Sequence, residues 1–341
     1  MGLNIAEIVP RTSIKFEDLK GKIIAVDAFN TIYQFLSTIR QQDGTPLQDK
    51  NGNITSHLSG LFYRNLALLQ EGIKLVYVFD GEPPELKRKT NQERQEAKDE
   101  AREKYEEAKK REDYEAMRKY SQQLTKINDK IIDESKELLE ALGICVIQAP
   151  GEGEAQAAYF AKREKVYAVA SQDYDSLLFQ APRLIQNLTL ARTRKTISGI
   201  VHISPEIIEL QKVLNYLQIN LDQLICLGIL TGTDYNPGGL RGIGPKKALD
   251  IVKRNKQPYL IFKSVEELIN KQEPDRQFDW RDIYELFHKP NVKDFKIEFP
   301  KFNEEKIKKI LLSRDFSEER INNGIKRLYE EKKKSQQKKL F

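Results

Sequence analysis

Acidic side chains recur just after the short apolar runs in the first half of the chain. The set comprises Asp27, Asp80, Glu152, Glu154, Asp173 and Asp175. If each run is a strand of one parallel sheet, these acids meet at the carboxyl edge of that sheet, where such sheets bind ligands. Crowded carboxylates repel each other unless cations neutralise them, and ligation by oxygen alone favours Mg²⁺ or Mn²⁺ over zinc. The spacing therefore predicts a site for hard metal ions.

Phosphoryl transfer is the chemistry that such a site performs best. Two divalent ions about 3.5–4 Å apart stabilise both the attacking and the leaving oxygen of an in-line displacement. A side-chain nucleophile is then not required, and the sequence offers no obvious one.

Three competing phosphate motifs fail. The sequence has no Gly-x-x-x-x-Gly-Lys-Ser/Thr loop, which excludes a nucleotide-hydrolysing motor. Gly151-Glu-Gly153 lacks the third glycine of a dinucleotide-binding loop. Aspartyl-phosphate phosphatases need Asp-x-Asp-x-Thr, whereas Phe29 replaces the second aspartate between Asp27 and Thr31.

Each acid alone has a simpler explanation. Asp27 fits the N-cap of a following helix, Asp80 with Gly81 fits a turn, and Glu152 fits a position that complements a helix dipole. Their recurrence after successive apolar runs, twice as pairs spaced by two residues, favours the metal site.

A second motif lies in the C-terminal half, where Gly242-Ile-Gly-Pro245 opens a helix. Backbone N–H groups at a helix start suit a DNA phosphate, and Lys246 and Lys247 add positive charge there. Asp234, just ahead of this motif, can complete the carboxylate cluster. The simpler explanation is an ordinary turn between two helices. A metal site beside a phosphate-binding turn is typical of a structure-selective nuclease.

The apolar runs also predict the elements that position these residues. Strands are expected at residues 22–26, 73–79, 144–148 and 166–170, and helices at 30–39, 56–70 and 153–163. Near-continuous runs of Val, Ile and Ala between helices predict an α/β fold with a mostly parallel central sheet flanked by helices. After residue 200 we expect mostly helices, with one start at Ser204-Pro205 and a capping box at Ser264-Val-Glu-Glu267.

A long charged segment separates the second and third predicted strands. Residues 87–137 hold 15 Lys/Arg and 14 Asp/Glu, without glycine or proline. The later part keeps an apolar helical stripe that indicates packing on the body. One interpretation of the earlier part is a solvated helix with ion pairs four residues apart. The other is a helical arch that lies over an active site and becomes ordered when substrate binds.

Composition excludes several other classes of protein. The 341 residues are 39% hydrophobic and 32% charged, and the net charge of +6 is a weak preference for anionic partners. No apolar run approaches the roughly 18 residues of a membrane span, and the N-terminus lacks a secretory pattern. The two cysteines and three histidines are too scattered for a usual zinc site or a disulfide scaffold. We therefore expect an intracellular, reducing compartment and no membrane partner.

These motifs together resemble the flap endonuclease family of structure-specific five-prime nucleases, in its archaeal and eukaryotic form. The matching segments follow one another along almost the whole chain, at residues 26–35, 55–60, 76–84, 149–155, 172–175, 232–235, 242–248 and 316–321. The resemblance implies one PIN-like nuclease domain over residues 1–325. This domain would contain a helical arch or cap at 84–135 and a helix-hairpin-helix-like duplex-binding region at 215–270.

The resemblance further implies an enzyme that removes five-prime flaps from branched DNA, in Okazaki fragment maturation and in repair, with five-prime exonuclease activity. The protein would act as a monomer and lie with DNA in the cytoplasm of an archaeon or the nucleus of a eukaryote. Two alternatives stay open. One is a nuclease of the same fold with other branched substrates, and the other is a non-catalytic DNA-binding scaffold.

Roles for individual residues also follow from the resemblance. Two Mg²⁺ ions, replaceable by Mn²⁺, would be bound by Asp27, Asp80, Glu152, Glu154, Asp173, Asp175 and Asp234. Lys87 and Arg94 would steer and polarise the scissile phosphate. The implied DNA contacts are Gly2 near the site, Tyr33 stacking on an unpaired base, Thr55 at a three-prime flap and Arg64 on nearby backbone. Gly242, Gly244, Lys246 and Lys247 would contact the duplex, with a monovalent cation near Gly242 and Gly244.

Two departures from the family pattern concern Gln172 and the C-terminus. Gln172 stands where an acid usually precedes the Asp-x-Asp pair, which we expect to be tolerated. Residues 326–341 form a basic tail in which Gln337, Leu340 and Phe341 supply only the first half of a sliding-clamp motif. Either the chain is truncated there or a PCNA-type clamp is engaged mostly in another way.

Overall fold

The fold is organised around a mixed sheet. A computed structural model describes residues 3–41, 44–111, 113–124, 126–189, 193–196, 199–272 and 278–337. The strands in these ranges are β1 (Thr12–Ser13), β2 (Ile23–Asp27), β3 (Lys74–Phe79), β4 (Cys145–Gln148), β5 (Ala168–Ala170), β6 (Arg183–Gln186), β7 (Thr193–Thr196), β8 (Gly199–His202) and β9 (Glu206–Glu209). Seven of them form one sheet in the order β1-β9-β6-β5-β2-β3-β4, and β7 pairs with β8.

Most of this sheet is parallel, as predicted. Strands β6, β5, β2, β3 and β4 run in one direction, whereas β9 pairs antiparallel with both β6 and β1. The register pairs Asp27 with Val78, Phe79 with Gln148, and Val26 with Ala170. The carboxyl ends of β2, β3, β4 and β5 therefore meet at one edge.

Helices cover the sheet and form the C-terminal half. They are α1 (Ala28–Thr38), α2 (Ser56–Gln70), α3 (Arg88–Lys110), α4 (Tyr114–Gln123), α5 (Asp129–Ala141), α6 (Gly153–Lys162), α7 (Asp175–Leu178), α8 (Leu210–Leu217), α9 (Leu221–Thr231), α10 (Pro245–Arg254), α11 (Pro258–Lys263), α12 (Glu266–Asn270), α13 (Trp280–His288), α14 (Glu304–Leu312) and α15 (Glu318–Gln337). The seven elements predicted in the first half are all present, with ends shifted by at most two residues.

The two faces of the sheet bury separate apolar clusters. Along β2, Ala25 packs into one cluster, while Ile24 and Val26 pack into the other. This alternation follows from the two-residue period of a strand and explains why β2 is apolar throughout. A slip of one residue would exchange these side chains between the two clusters, so side-chain packing rather than an apolar–polar alternation selects the register.

Two predictions for the C-terminal half are wrong. Ser204-Pro205 does not open a helix, because residues 206–209 pair as β9 between β6 and β1, with Ile207 and Ile208 buried on opposite faces of the sheet. Ser264 does not cap a helix start either. It ends α11, and its hydroxyl donates to the carbonyl of Ile261 instead.

The charged segment is helical but interrupted. Helices α3 and α4 pack against each other, and Ala101 and Ala108 of α3 are buried. Helix α5 then packs on the body through Ile131 and Leu138, as the apolar stripe predicted. The predicted basic tail begins inside a helix, because α15 runs without a break from Glu318 to Gln337 and buries Leu328.

In the part of the chain that the structure describes, no single helix is long and apolar enough to cross a membrane. Helices α8 and α9 pass that test only as a pair, and they meet at a bend of 83°.

Candidate active site

Asp27 and Asp173 are joined across the sheet edge by Asn30. Asp27 is the last residue of β2 and also caps α1, accepting a hydrogen bond from the backbone N–H of Asn30 at 3.0 Å. The Asn30 side-chain amide donates to Asp173 Oδ2 at 2.8 Å. The capping role and the cluster role of Asp27 are therefore compatible, because one carboxylate serves both.

Asp80, which directly follows β3, is held in place by the start of α6. Its Oδ1 accepts from the backbone N–H of Gly153 at 2.6 Å. A Cβ at Gly153 would lie 2.8 Å from that oxygen and 2.9 Å from the carbonyl oxygen of Val78. Glycine is thus required for the close approach of α6 to β3.

Glu154 and Asp175 are held by further backbone donors. The N–H of Ser176, in α7, donates to Glu154 Oε1 at 2.8 Å. The N–H of Leu3 donates to Asp175 Oδ1 at 3.2 Å, and Leu3 itself is buried. The N-terminal segment therefore reaches the acid cluster.

Glu152 and Asp234 lie against Lys87, at the base of α3. The Lys87 ammonium donates to Glu152 Oε1 and lies 3.2 Å from Asp234 Oδ2. The other oxygen of Glu152 accepts from the hydroxyl of Tyr235. Two acids from distant parts of the sequence thus share one cation.

The pKa values show how strongly the acids are crowded. Burial and then the charge of Asp80 raise the pKa of Asp27 to about 8. Burial and then the charges of Asp234 and Asp173 raise the pKa of Asp175 to about 8. Burial, with repulsion from Asp175 and Asp27, places the pKa of Glu154 well above its usual range. Ionisation of these carboxyl groups is therefore costly in a water-poor site, and a bound cation would offset that cost.

The same carboxylates favour the charged form of Lys87. Burial alone would lower the pKa of Lys87, but attraction to Glu152 and Asp234 outweighs it and the pKa is raised. The pKa of Glu152 is still raised, because its burial outweighs the attraction of Lys87. One ammonium therefore compensates the cluster only in part.

The donor set suits hard divalent cations. The seven predicted acids offer only oxygen, which Mg²⁺ and Mn²⁺ prefer. Among the described residues, no three Asp, Glu, His or Cys side chains already surround a single metal position. Lys87 contacts two of the acids instead.

Helices α1, α2 and α3 carry or adjoin several of the predicted contacts with DNA. Tyr33 is on α1 and 42% exposed, as a stacking surface requires. Thr55 precedes α2 and is buried, and the half-buried guanidinium of Arg64 lies on the same helix. Arg94 lies on α3, although its side chain is outside the described part, as is Gly2.

The predicted phosphate-binding turn has an open backbone. Gly242 has a φ of +81°, and Gly244 is the N-cap of α10, with nothing within 4 Å of a Cβ built on either residue. Lys246 forms an exposed ion pair with Glu7 at 3.3 Å, and the Lys247 ammonium donates to the carbonyl of Gly242 at 3.3 Å. Both lysines are near the helix start, where the prediction placed them.

The predicted clamp residues are mostly outside the described ranges. Gln337 ends α15, and Leu340 and Phe341 follow beyond the described residues. Sequence reasoning missed three contributors to the site: Asn30, Tyr235 and the N–H of Leu3. Asn30 carried a signal, since it lies three residues after Asp27 at the capping distance.

An acid cluster at the carboxyl edge of a mostly parallel sheet, with a lysine at its centre and a glycine-rich turn nearby, defines a class of nucleases. The sequence model of the XPG N-terminal domain matches residues 4–101, and that of the XPG I-region matches residues 143–234. The chain belongs to the flap endonuclease family of these XPG-type nucleases, and members of this family are generally metal-dependent.

Relatives cover the whole chain. It is 52% identical to Flap endonuclease 1 of Thermococcus onnurineus over 96% of this chain and 94% of that protein. It is 47% identical to Flap endonuclease 1 of Aeropyrum pernix over 100% of this chain and 99% of that protein.

Solved structures share the fold. Flap endonuclease-1 from Methanococcus jannaschii is 40% identical, with a TM-score of 0.74 over 97% of this chain and 98% of that one. The catalytic core of Rad2 in complex with DNA substrate (complex III) is 22% identical, with a TM-score of 0.69 over 93% of this chain and 96% of that one. The latter likeness concerns the fold alone.

Proposed function

We propose that this structure-specific nuclease removes five-prime flaps from branched DNA by two-metal-ion hydrolysis of one phosphodiester bond near the junction. The observation that carries the proposal is the convergence of buried, mutually repelling carboxylates around Lys87 at one sheet edge. The Flap endonuclease 1 relatives, at about half identity along the chain, support the same substrate. The cellular roles would be Okazaki fragment maturation and DNA repair, with five-prime exonuclease activity on the same site.

The acids would hold two divalent ions, Mg²⁺ or in its place Mn²⁺. The ligands would be Asp27, Asp80, Glu152, Glu154, Asp173, Asp175 and Asp234. Such ions supply activation of water and stabilisation of the charge that develops on the attacking and leaving oxygens. The protein contributes the placement of the carboxylates, which backbone donors at Asn30, Gly153 and Ser176 already fix.

Lys87 and Arg94 would bind the scissile phosphate. Lys87 is the charged group that already lies among the acids, so a phosphate oxygen entering the cluster meets an ammonium as well. Both residues lie at the base of α3, so movement of that helix would carry their charges toward or away from the phosphate. Positive charge fixed at the phosphate stabilises the transition state more than the ground state.

The DNA would reach the acids along the surface that carries the other predicted contacts. Tyr33 would stack on an unpaired base, and Gly2 would lie where the Leu3 N–H enters the cluster. Thr55 and Arg64 would contact a three-prime flap and its backbone. Gly242, Gly244, Lys246 and Lys247 would hold a duplex phosphate, with a monovalent cation near Gly242 and Gly244. A PCNA-type sliding clamp would bind the end of the chain.

Cleavage of a labelled panel of branched DNAs tests the proposal. Purified protein with Mg²⁺ should cut a double-flap DNA once near the junction, and EDTA should abolish the cut. A four-way junction and a bubble should be cut far more slowly. Equal cutting of the flap and the four-way junction would favour the alternative nuclease, and an intact flap in Mg²⁺ would favour the scaffold.

A further inference from the structure

The Glu152 carboxylate is held from two sides by residues far apart in the sequence. Its Oε1 accepts from the Lys87 ammonium, and its Oε2 accepts from the Tyr235 hydroxyl. Glu152 and Tyr235 are both buried, at 9% and 6% exposed. Glu152 is also the N-cap of α6, yet its side chain makes no capping hydrogen bond. These two partners therefore determine the plane of the carboxylate.

Tyr235 lies in a turn that is itself tightly constrained. Its ring meets Phe287 edge-on at 5.4 Å between centroids. The turn is closed by Asn236, which accepts from the hydroxyl of Thr233 at 2.7 Å and donates to the carbonyl of Ile229 at 2.7 Å. Because both the ring and the backbone of Tyr235 are fixed, its hydroxyl can approach Glu152 from one direction.

We propose that Tyr235 is a positioning residue that orients Glu152 for metal binding. This inference rests on the proposed function, in which Glu152 is a metal ligand. Hydrogen bonds to the outer side of a ligating carboxylate fix its orientation, and their removal typically lowers metal affinity or activity by about 10–100-fold. The phenol occupies Oε2, so Oε1 is the oxygen that remains turned toward Lys87 and the cluster.

The position of Tyr235 also joins two functional regions. It directly follows Asp234, another acid of the cluster, and precedes the turn of Gly242 and Gly244. Its neighbouring residues connect α9 to α10, which carries Lys246. Duplex DNA bound at the turn therefore contacts the same chain segment that orients Glu152.

Tyr235→Phe tests this role, because it removes the hydroxyl and keeps the ring against Phe287. Mn²⁺ binding to the DNA-free protein is measured by calorimetry, and thermal unfolding in EDTA verifies the fold. We expect Mn²⁺ affinity to fall by about 10-fold or more. Tyr77→Phe is the matched control, since the buried Tyr77 hydroxyl donates to Asn65 at 2.9 Å on another face and should leave Mn²⁺ affinity unchanged.

A double-substitution cycle shows whether Tyr235 acts through Glu152. In the Glu152→Gln background, Tyr235→Phe should have no further effect on Mn²⁺ affinity. An additive loss, or wild-type affinity in Tyr235→Phe alone, would overturn the positioning role and leave the metal site intact. The proposed metal function itself fails if the wild-type protein does not bind Mn²⁺, or if Asp80→Ala does not weaken that binding. This inference then fails with it.

Discussion

Backbone N–H groups hold four acids of the cluster in place. The donors are those of Leu3, Asn30, Gly153 and Ser176. Such donors stabilise the charged form of a carboxylate, yet the pKa values of Asp27 and Asp175 are still raised to about 8. Repulsion and burial therefore exceed what the local hydrogen bonds offset. The crowded acids therefore destabilise the metal-free protein, and ion binding would remove that destabilisation.

Asp175→Asn separates the chemical role of an acid from its structural role. The amide oxygen can still accept from Leu3, but the negative charge facing Asp234 and Asp173 is removed. We expect flap cleavage to fall about 100-fold or more, because a metal ligand is lost. We expect the metal-free protein at pH 8.5 to melt about 2 °C higher or more, because repulsion is relieved.

Kinetics and thermal unfolding in EDTA measure the two effects, and DNA binding should survive. Asp133→Asn, at an exposed position on α5, is the control and should change neither quantity. Normal turnover by Asp175→Asn would refute the assignment of Asp175 as a ligand.

At the scale of elements, the start of α10 carries the predicted duplex contact. Its N-cap is Gly244, its first residue is Pro245, and its first turn has no acidic side chain. Unpaired N–H groups and two lysines there form a site for one or two phosphates. Lys246 forms an exposed ion pair with Glu7. Such a pair contributes little to stability, so Lys246 can readily exchange Glu7 for a phosphate.

The double variant Lys246→Ala with Lys247→Ala measures this contact. We expect weaker binding of a duplex flap substrate and a salt slope, log K against log salt, that is smaller by about one to two. Fluorescence anisotropy at several salt concentrations gives the slope. Lys308→Ala with Lys309→Ala on α14 is the charge-matched control. An unchanged slope in the α10 variant would contradict the phosphate contact.

Elements whose signals are local could be predicted from the sequence. The apolar runs before Asp27 and Asp80 are central strands, and a parallel sheet brings their ends together, so the meeting of these two acids could be predicted from the pattern of apolar runs. The helix start predicted at Ser204-Pro205 was wrong, because a serine and proline pair suits the beginning of a strand as well as the beginning of a helix. The contact of Tyr235 with Glu152 joins residues 83 positions apart, and no periodicity encodes it.

At the scale of the whole molecule, net charge conceals the distribution. Of the net +6, residues 326–341 contribute +5, with seven basic and two acidic side chains. The remaining 325 residues carry +1 and include the seven acids of the cluster. Outside that cluster the body is therefore distinctly basic. An acidic pocket within a basic surface suits an enzyme that binds a polyanion and metal ions together.

A partly buried ionic network joins distant parts of the fold. Glu134 of α5 lies 3.1 Å from His57 at the start of α2 and contacts Arg314, which follows α14. Arg314 also lies 3.5 Å from Asp49, in the loop before α2. Burial would raise the pKa of Glu134, but hydrogen bonds from His57 and Arg314 outweigh it and lower the pKa.

Glu134→Gln should therefore destabilise the protein in a pH-dependent way. A lowered folded pKa stabilises the native state above the unfolded value of about 4.3, and this stabilisation is lost as pH falls through the folded pKa. We expect a loss of about 1–3 kcal/mol at pH 7 that shrinks toward pH 3. Urea unfolding across this range checks it. Glu137→Gln, which breaks an exposed pair with Lys306, should cost little at any pH.

A deletion at the end of the chain should abolish clamp binding and leave catalysis unchanged. Helix α15 packs on the body through Ile321, Ile325 and Leu328, whereas the predicted clamp residues Leu340 and Phe341 follow it. Deletion of residues 338–341 leaves that packing intact. We therefore expect unchanged melting and unchanged flap cleavage without a clamp, together with loss of stimulation by a PCNA-type clamp, because two apolar anchors are removed.

Cleavage assays with and without the clamp, alongside calorimetric binding, measure this separation. Lys338→Ala with Lys339→Ala keeps both anchors and is the control, and it should reduce clamp binding far less than the deletion. Full stimulation of the deleted protein would show that the clamp is engaged elsewhere on the body.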